Sequence, residues 1–169
     1  MNAWRYATLR RMGHRLKAGM SVYFEDLSVG DVFTAGPVVM TPERIMEFGR
    51  EFDPQPAHVD ADLARDSMFG ELVASGWHTA AATMRLVVDG ASPRVAGGII
   101  GAGVESISWP VPVRPGDVLT AASDIVELRL SRSRPDRGLA KMRTVTSRAD
   151  GTAVQVLMVT IVIPRRPQA

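Results

Sequence analysis

The stretch Trp77–Asp89, W-H-T-A-A-A-T-M-R-L-V-V-D, constrains the fold of this chain more than any other. Three consecutive alanines with Met, Leu and Val nearby favour helix, and apolar residues run nearly all round it. A helix of that kind is expected to be buried rather than to show one face to water. Past Ile99 the pattern turns to strands: Ile99–Trp109, Val118–Leu130, Ala140–Ala149 and Ala153–Ile163. Pro110, Pro112 and Pro115-Gly116-Asp117 mark the turn between the first two. Arg134-Pro135-Asp136-Arg137-Gly138 and Ala149-Asp150-Gly151 mark hairpins. One buried helix followed by a meander of about four long antiparallel strands predicts an α+β chain in which a curved sheet wraps a central helix.

Upstream, Val32 and Phe33 begin a strand that continues through Val38 and Val39. Thr41-Pro42-Glu43 reads as a helix start, with a capping side chain, proline at the first helical position and an acid in the first turn. Ile45, Phe48 and Phe52 follow on one apolar face. Pro54 and Pro56 end that helix, so Asp53 to His58 is expected to be a stiff, extended loop. A short helix around Ala61–Ser67 is expected next.

The length of 169 residues suits one domain, and 46% hydrophobic residues suffice for a core. Residues 1–20 carry Arg5, Arg10, Arg11, Arg15 and Lys17 and no acid. The +2 of the whole chain therefore leaves residues 21–169 at −3. The division expected is a basic, disordered arm over 1–20 and a single domain over 21–169. An acidic body is no nucleic-acid platform. No apolar run approaches the ~18 residues that span a bilayer. The lack of cysteine removes disulfides and thiolate metal sites and fits a cytoplasmic location. Three histidines without paired spacing give no zinc site, and no phosphate-binding glycine motif points to a nucleotide cofactor.

Two stretches carry chemistry. In F-D-P-Q-P-A-H-V-D, Phe52 to Asp60, the carboxylate of Asp53 and the imidazole of His58 stand five residues apart across two prolines that restrict the chain between them. A carboxylate beside an imidazole is an acid/base unit. On spacing alone, a proline-rich turn with an Asp cap and a surface His fits equally well. In L-V-A-S-G-W-H-T, Leu72 to Thr79, Gly76 opens the long helix. Its backbone lets a ligand come close to the first free N–H groups, which suits a carbonyl oxygen that gathers negative charge. A plain tight turn is the alternative. His78 reads as a packed, hydrogen-bonded core residue rather than a second base, Asp60 and Asp62 as a helix start rather than metal ligands, and Arg132, Arg134 and Arg137 as a solvated basic hairpin rather than a grip on a ligand's nucleotide phosphates.

Together, D-P-Q-P-A-H-V-D and the downstream A-R-D-S-M-F-G-E-L-V-A-S-G resemble the MaoC-like dehydratases and (R)-specific enoyl-CoA hydratases. The resemblance covers about Tyr23 to Pro164, and W-P-V-P-V-R-P-G-D looks like the family's strand that turns through proline. It implies a hot-dog fold, an antiparallel sheet wrapped around a long central helix, and a homodimer or dimer-based oligomer. It implies Asp53 and His58 as the catalytic pair and the Gly76 N–H as oxyanion donor. Gln55 replaces the usual Asn, Ser75 stands where many hydratases have His, and Phe52 replaces a frequent Gly. Gln55, Ser75 and Trp77 are expected to meet substrate, with Met46, Phe52 and Met84 also expected to line the acyl pocket. The implied reaction adds water to, or removes it from, the C2=C3 bond of an acyl-CoA of (R)-3-hydroxyacyl type. It needs no metal and no cofactor beyond the CoA of the substrate. The alternatives are a hot-dog thioesterase, disfavoured because Trp77 to Val88 holds no acid, and a non-catalytic acyl-binding subunit.

Overall fold

The computed structural model describes residues 21–90 and 93–167; the basic arm expected over residues 1–20 lies outside them. Strand β1 (Val32–Val39) is followed by helices α1 (Pro42–Phe52), α2 (Pro56–Val59) and α3 (Gly76–Asp89). Strands β2 (Ile100–Ser108), β3 (Val118–Leu130), β4 (Arg137–Arg148) and β5 (Ala153–Pro164) complete the chain. The five strands form one antiparallel sheet in the order β1-β3-β4-β5-β2. This is the α+β hot-dog arrangement, and each strand falls close to where its period of two places it. The meander is confined to β3-β4-β5. The proline-rich segment after β2 does not close a hairpin: it carries the chain across the sheet, so β2 pairs with β5 at one edge. At the other edge, β1 shifts register between Ala35 and Val38, at the Gly36-Pro37 step, where proline offers no ladder donor.

Alternation on β3 and β4 turns Leu119, Ala121, Ser123 and Ile125, and Ala140, Met142, Thr144 and Thr146, inward. Met40, Ile45, Leu72, Ala74, Leu86, Val113, Leu119 and Val154 build one cluster around α3. Val22, Leu27, Val95, Ile125, Met142, Ile161 and Ile163 build a second at the other end of the sheet.

The central helix departs from expectation. Of α3 only Thr79, Thr83 and Leu86 are buried, while Trp77, Met84 and Val88 are more than half exposed. The sheet reaches one side of the helix only, and among the described residues nothing covers Trp77, Met84 and Val88 on the other. On the buried side the helix is tied to β4 by a 2.7 Å hydrogen bond between the hydroxyls of Thr83 and Thr146.

The segment before α3 differs too. Helix α1 starts as predicted, with the Arg44 N–H donating to Thr41 Oγ1 and Pro42 at its first position. Its buried residues are Ile45 and Gly49, however, and Phe52 at its end is exposed. The stretch expected to be extended throughout contains the turn α2, which includes His58. Pro56 accounts for this. It holds Gln55 extended, at φ −82° and ψ 146°, and its own fixed φ suits the first position of a helix. The helix expected around Ala61–Ser67 is a single 3-10 turn, Leu63–Asp66.

Candidate active site

Asp53 caps the C-terminus of α1, its N–H donating to Gly49 O at 2.9 Å. Two residues on, the proline-directed turn into α2 brings the chain back, and the His58 ring ends 3.6 Å from Asp53, measured Nε2 to Oδ2. Gly49 makes the return possible. The His58 carbonyl occupies the space that a side chain at position 49 would fill.

The imidazole is buried and its orientation is fixed from behind. Nδ1 lies 2.8 Å from the Val73 carbonyl oxygen, which can only accept, so Nδ1 carries a proton. In the neutral ring, Nε2 then presents its lone pair toward Asp53. Val73 is placed by its own N–H, which donates to Ala57 O at 3.0 Å, and Ala74 N–H donates to Val113 O at 2.8 Å. The approach to α3 is thus laced between α2 and the segment preceding β3.

Both oxygens of Asp53 accept hydrogen bonds. Ser75 Oγ donates to Oδ2 at 2.6 Å and Gln55 Nε2 to Oδ1 at 2.7 Å. These bonds, the Ser75 one first, hold the carboxyl below its usual range, with a smaller contribution from His58 and a small opposing effect of burial. Asp53 is therefore a stable carboxylate at neutral pH. Ser75 is also the N-cap of α3, its Oγ accepting the Trp77 N–H at 3.2 Å. A single hydroxyl therefore joins the carboxylate to the helix start. The N–H of Gly76, the first residue of α3, has no acceptor among the described residues.

The arrangement offers a point bounded by a carboxylate oxygen, an imidazole lone pair and the positive end of a helix. It can hold a molecule that donates to both Asp53 and His58. Of the residues expected to meet an acyl group, Trp77 stands exposed beside this point, Phe52 is exposed and tilted against Phe48 at 4.9 Å, and Met84 is exposed further along α3. Met46 packs against the core.

Residues 27–146 match the sequence profile of the MaoC like domain. The chain belongs to the MaoC-like family. Among solved structures, the MaoC-like dehydratase from Rhodospirillum rubrum is 45% identical, with a TM-score of 0.83 over 88% of this chain and 100% of that one. The R-hydratase PhaJ1 from Pseudomonas aeruginosa, 22% identical, shares the fold with a TM-score of 0.67 over 86% of this chain and 88% of its own. The mesaconyl-CoA hydratase of Haloarcula marismortui is 28% identical over 166 residues, 96% of this chain and 43% of that protein. This MaoC-like chain therefore spans less than half the length of that hydratase.

Other sequence-level expectations for the MaoC-like chain resolve simply. His78 packs, stacked on Phe48 at 4.7 Å, but without the hydrogen bond expected at Nδ1, which is buried with no partner among the described residues; burial, with Arg44 nearby, lowers its pKa. Asp60 accepts from the N–H groups of Asp62 and Leu63, which is a cap. Arg132 and Arg134 are exposed and Arg137 pairs with Asp136. Among the described residues no helix is long and apolar enough to cross a membrane. Sequence reasoning missed Gly49, Trp109 and Gln155. Trp109 was visible only as the head of W-P-V-P-V, and Gln155 only as the polar interruption of an apolar strand.

Proposed function

We propose that this MaoC-like protein is an acyl-CoA hydratase/dehydratase of (R)-3-hydroxyacyl type. The observation that carries the proposal is the pairing of two acceptors, Asp53 Oδ2 and the neutral-ring lone pair of His58 Nε2, 3.6 Å apart. Two acceptors at that separation suit one water that donates a hydrogen to each. Asp53, held as a poor proton acceptor by Ser75 and Gln55, orients the water. As oxygen adds to C3 of a trans-2-enoyl thioester, the proton passes to His58 Nε2. Asp53 stabilises the resulting imidazolium, which then delivers the proton to C2, so one water is consumed and both side chains return to their starting state. The Gly76 N–H, at the positive end of α3, stabilises the enolate-like thioester oxygen. Dehydration runs the same steps backwards. Trp77, beside Gly76, bounds the acyl group, and Gln55 and Ser75 hold the carboxylate at the substrate's edge. The exposed edge strand β2, with Ile100 and Val104 uncovered, suits pairing with a second copy in a homodimer.

Loss of the enoyl-thioester absorbance over a panel of short and medium trans-2-enoyl-CoAs tests the proposal, with free thiol followed in parallel. Absorbance loss without thiol release is expected. Thiol release without hydration of any member would instead indicate a thioesterase, and neither signal would leave an acyl-binding subunit.

A further inference from the structure

The backbone of Gly76 lies on the indole face of Trp109. A Cβ at position 76 would stand 2.8, 2.9 and 3.0 Å from three neighbouring ring carbons, Cδ2, Cε2 and Cε3, so it would overlap the indole along its fused bond. The indole is itself fixed. Its Nε1–H donates to Gln155 Oε1 at 2.8 Å, and the Trp77 ring meets it edge-on at 5.5 Å with a 73° interplanar angle. Pro110, next in the chain, restricts the Trp109 backbone to extended conformations. Gln155 is wholly buried on β5, opposite Thr146, and its Nε2 has no partner among the described residues. A buried donor left unsatisfied is costly, and an apolar side chain would fill the site without that cost. What Gln155 supplies in return is the acceptor that holds the indole.

We propose that Trp109 is a positioning residue for the Gly76 N–H, with Gln155 as its tether. It touches no reacting atom in this scheme. It sets the height of the first residue of α3 relative to His58 and to Asp53, the carboxylate to which Ser75 ties the same helix end. Gly76 is glycine here because the ring occupies the place of a side chain. The proposal rests on the hydratase reading, since it assigns that N–H to the thioester oxygen.

The test uses butyryl-CoA labelled with ¹³C at the thioester carbonyl, a saturated compound that cannot be hydrated, and isotope-edited infrared spectroscopy of its complex with the full chain. Hydration of the enoyl-CoA panel is measured alongside. In the wild type the carbonyl band is expected to move to lower frequency on binding. In Trp109→Ala most of that shift is lost and kcat falls about tenfold or more, a part of the 10²–10³ that loss of a whole oxyanion donor costs. KM changes little. Trp109→Phe, with a ring but no N–H, falls between. Gly76→Ala is impaired alone, and adding Trp109→Ala to it recovers part of the loss, because the overlap is relieved. A wild-type band position and kcat in Trp109→Ala overturn the proposal while leaving the hydratase reading standing. If Trp109→Ala does not fold, Gln155→Leu decides, since it keeps the ring and removes only the tether; a wild-type band there overturns the proposal equally. If the wild type neither shifts the band nor hydrates any member of the panel, the hydratase reading falls first and takes this inference with it.

Discussion

Gly49 and His58 share a contact that leaves no room for a side chain: a Cβ on Gly49 would overlap the His58 carbonyl oxygen. Helix propensity alone favours alanine over glycine inside α1 by about 1 kcal/mol. Overpacking of a buried contact costs about 1–3 kcal/mol. The overlap outweighs the propensity, so Gly49→Ala is expected to lower the melting temperature, and to lower turnover further than stability because α2 carries His58. A rise in melting temperature would show that the two helices separate without strain.

Asp53→Asn and His58→Ala are each expected to reduce hydration by about 10²–10⁴-fold while leaving the circular dichroism spectrum unchanged. The asparagine can still accept from Ser75, so the helix end it ties should stay in place. Turnover near that of the wild type in either variant would remove the pair from the mechanism.

Ser75→Ala removes the first cause of the lowered Asp53 pKa. A carboxyl whose pKa is depressed by folding adds stability above the ordinary carboxylate range and loses it as pH falls through the depressed value. Without the hydroxyl the Asp53 pKa moves up toward its ordinary value, so the wild type's advantage in stability over the variant should be largest at neutral pH and shrink as pH falls through the carboxylate range. The same change deletes the N-cap of α3, worth about 1 kcal/mol, so melting at neutral pH should fall as well. An advantage that stays constant across that range would mean that the Ser75 bond does not depress the Asp53 pKa.

Trp77 stands free of the core with its ring edge on Trp109, which places its bulk beside Gly76 rather than inside the sheet. A ring there shortens the space open to an acyl chain. Trp77→Ala is expected to move the optimum of kcat/KM across a series of enoyl-CoAs toward longer chains, by at most about 0.8 kcal/mol for each added buried CH₂. A uniform fall across the series would make Trp77 structural.

Period and punctuation made the strands and α3 legible, because a residue's own neighbours in sequence decide them. Asp53 and His58 were legible as a pair for the same reason: two prolines restrict the few residues between them. The turn α2 was not, because Pro56 reads as a helix stop for the residue before it and serves as a helix start for those after it. The exposure of Trp77, Met84 and Val88 was hidden because an apolar helix carries no mark of how many sides its own chain covers. Gly49, Trp109 and Gln155 act through partners 9, 33 and 46 positions away: His58, Gly76 and Trp109 respectively. No local pattern encodes such contacts. The connection from Ser75 to Asp53 was invisible likewise, although both residues had been singled out.

The bond from His58 Nδ1–H to the Val73 carbonyl has a consequence for observation in solution. A ring proton held against a buried carbonyl exchanges slowly with water, whereas most histidine ring protons are lost to exchange. Nitrogen-15 labelling of the histidines should therefore yield a ring N–H resonance that persists at neutral pH and is absent from His58→Ala. That signal reports which nitrogen carries the proton, and it does so in the resting protein, without substrate or turnover.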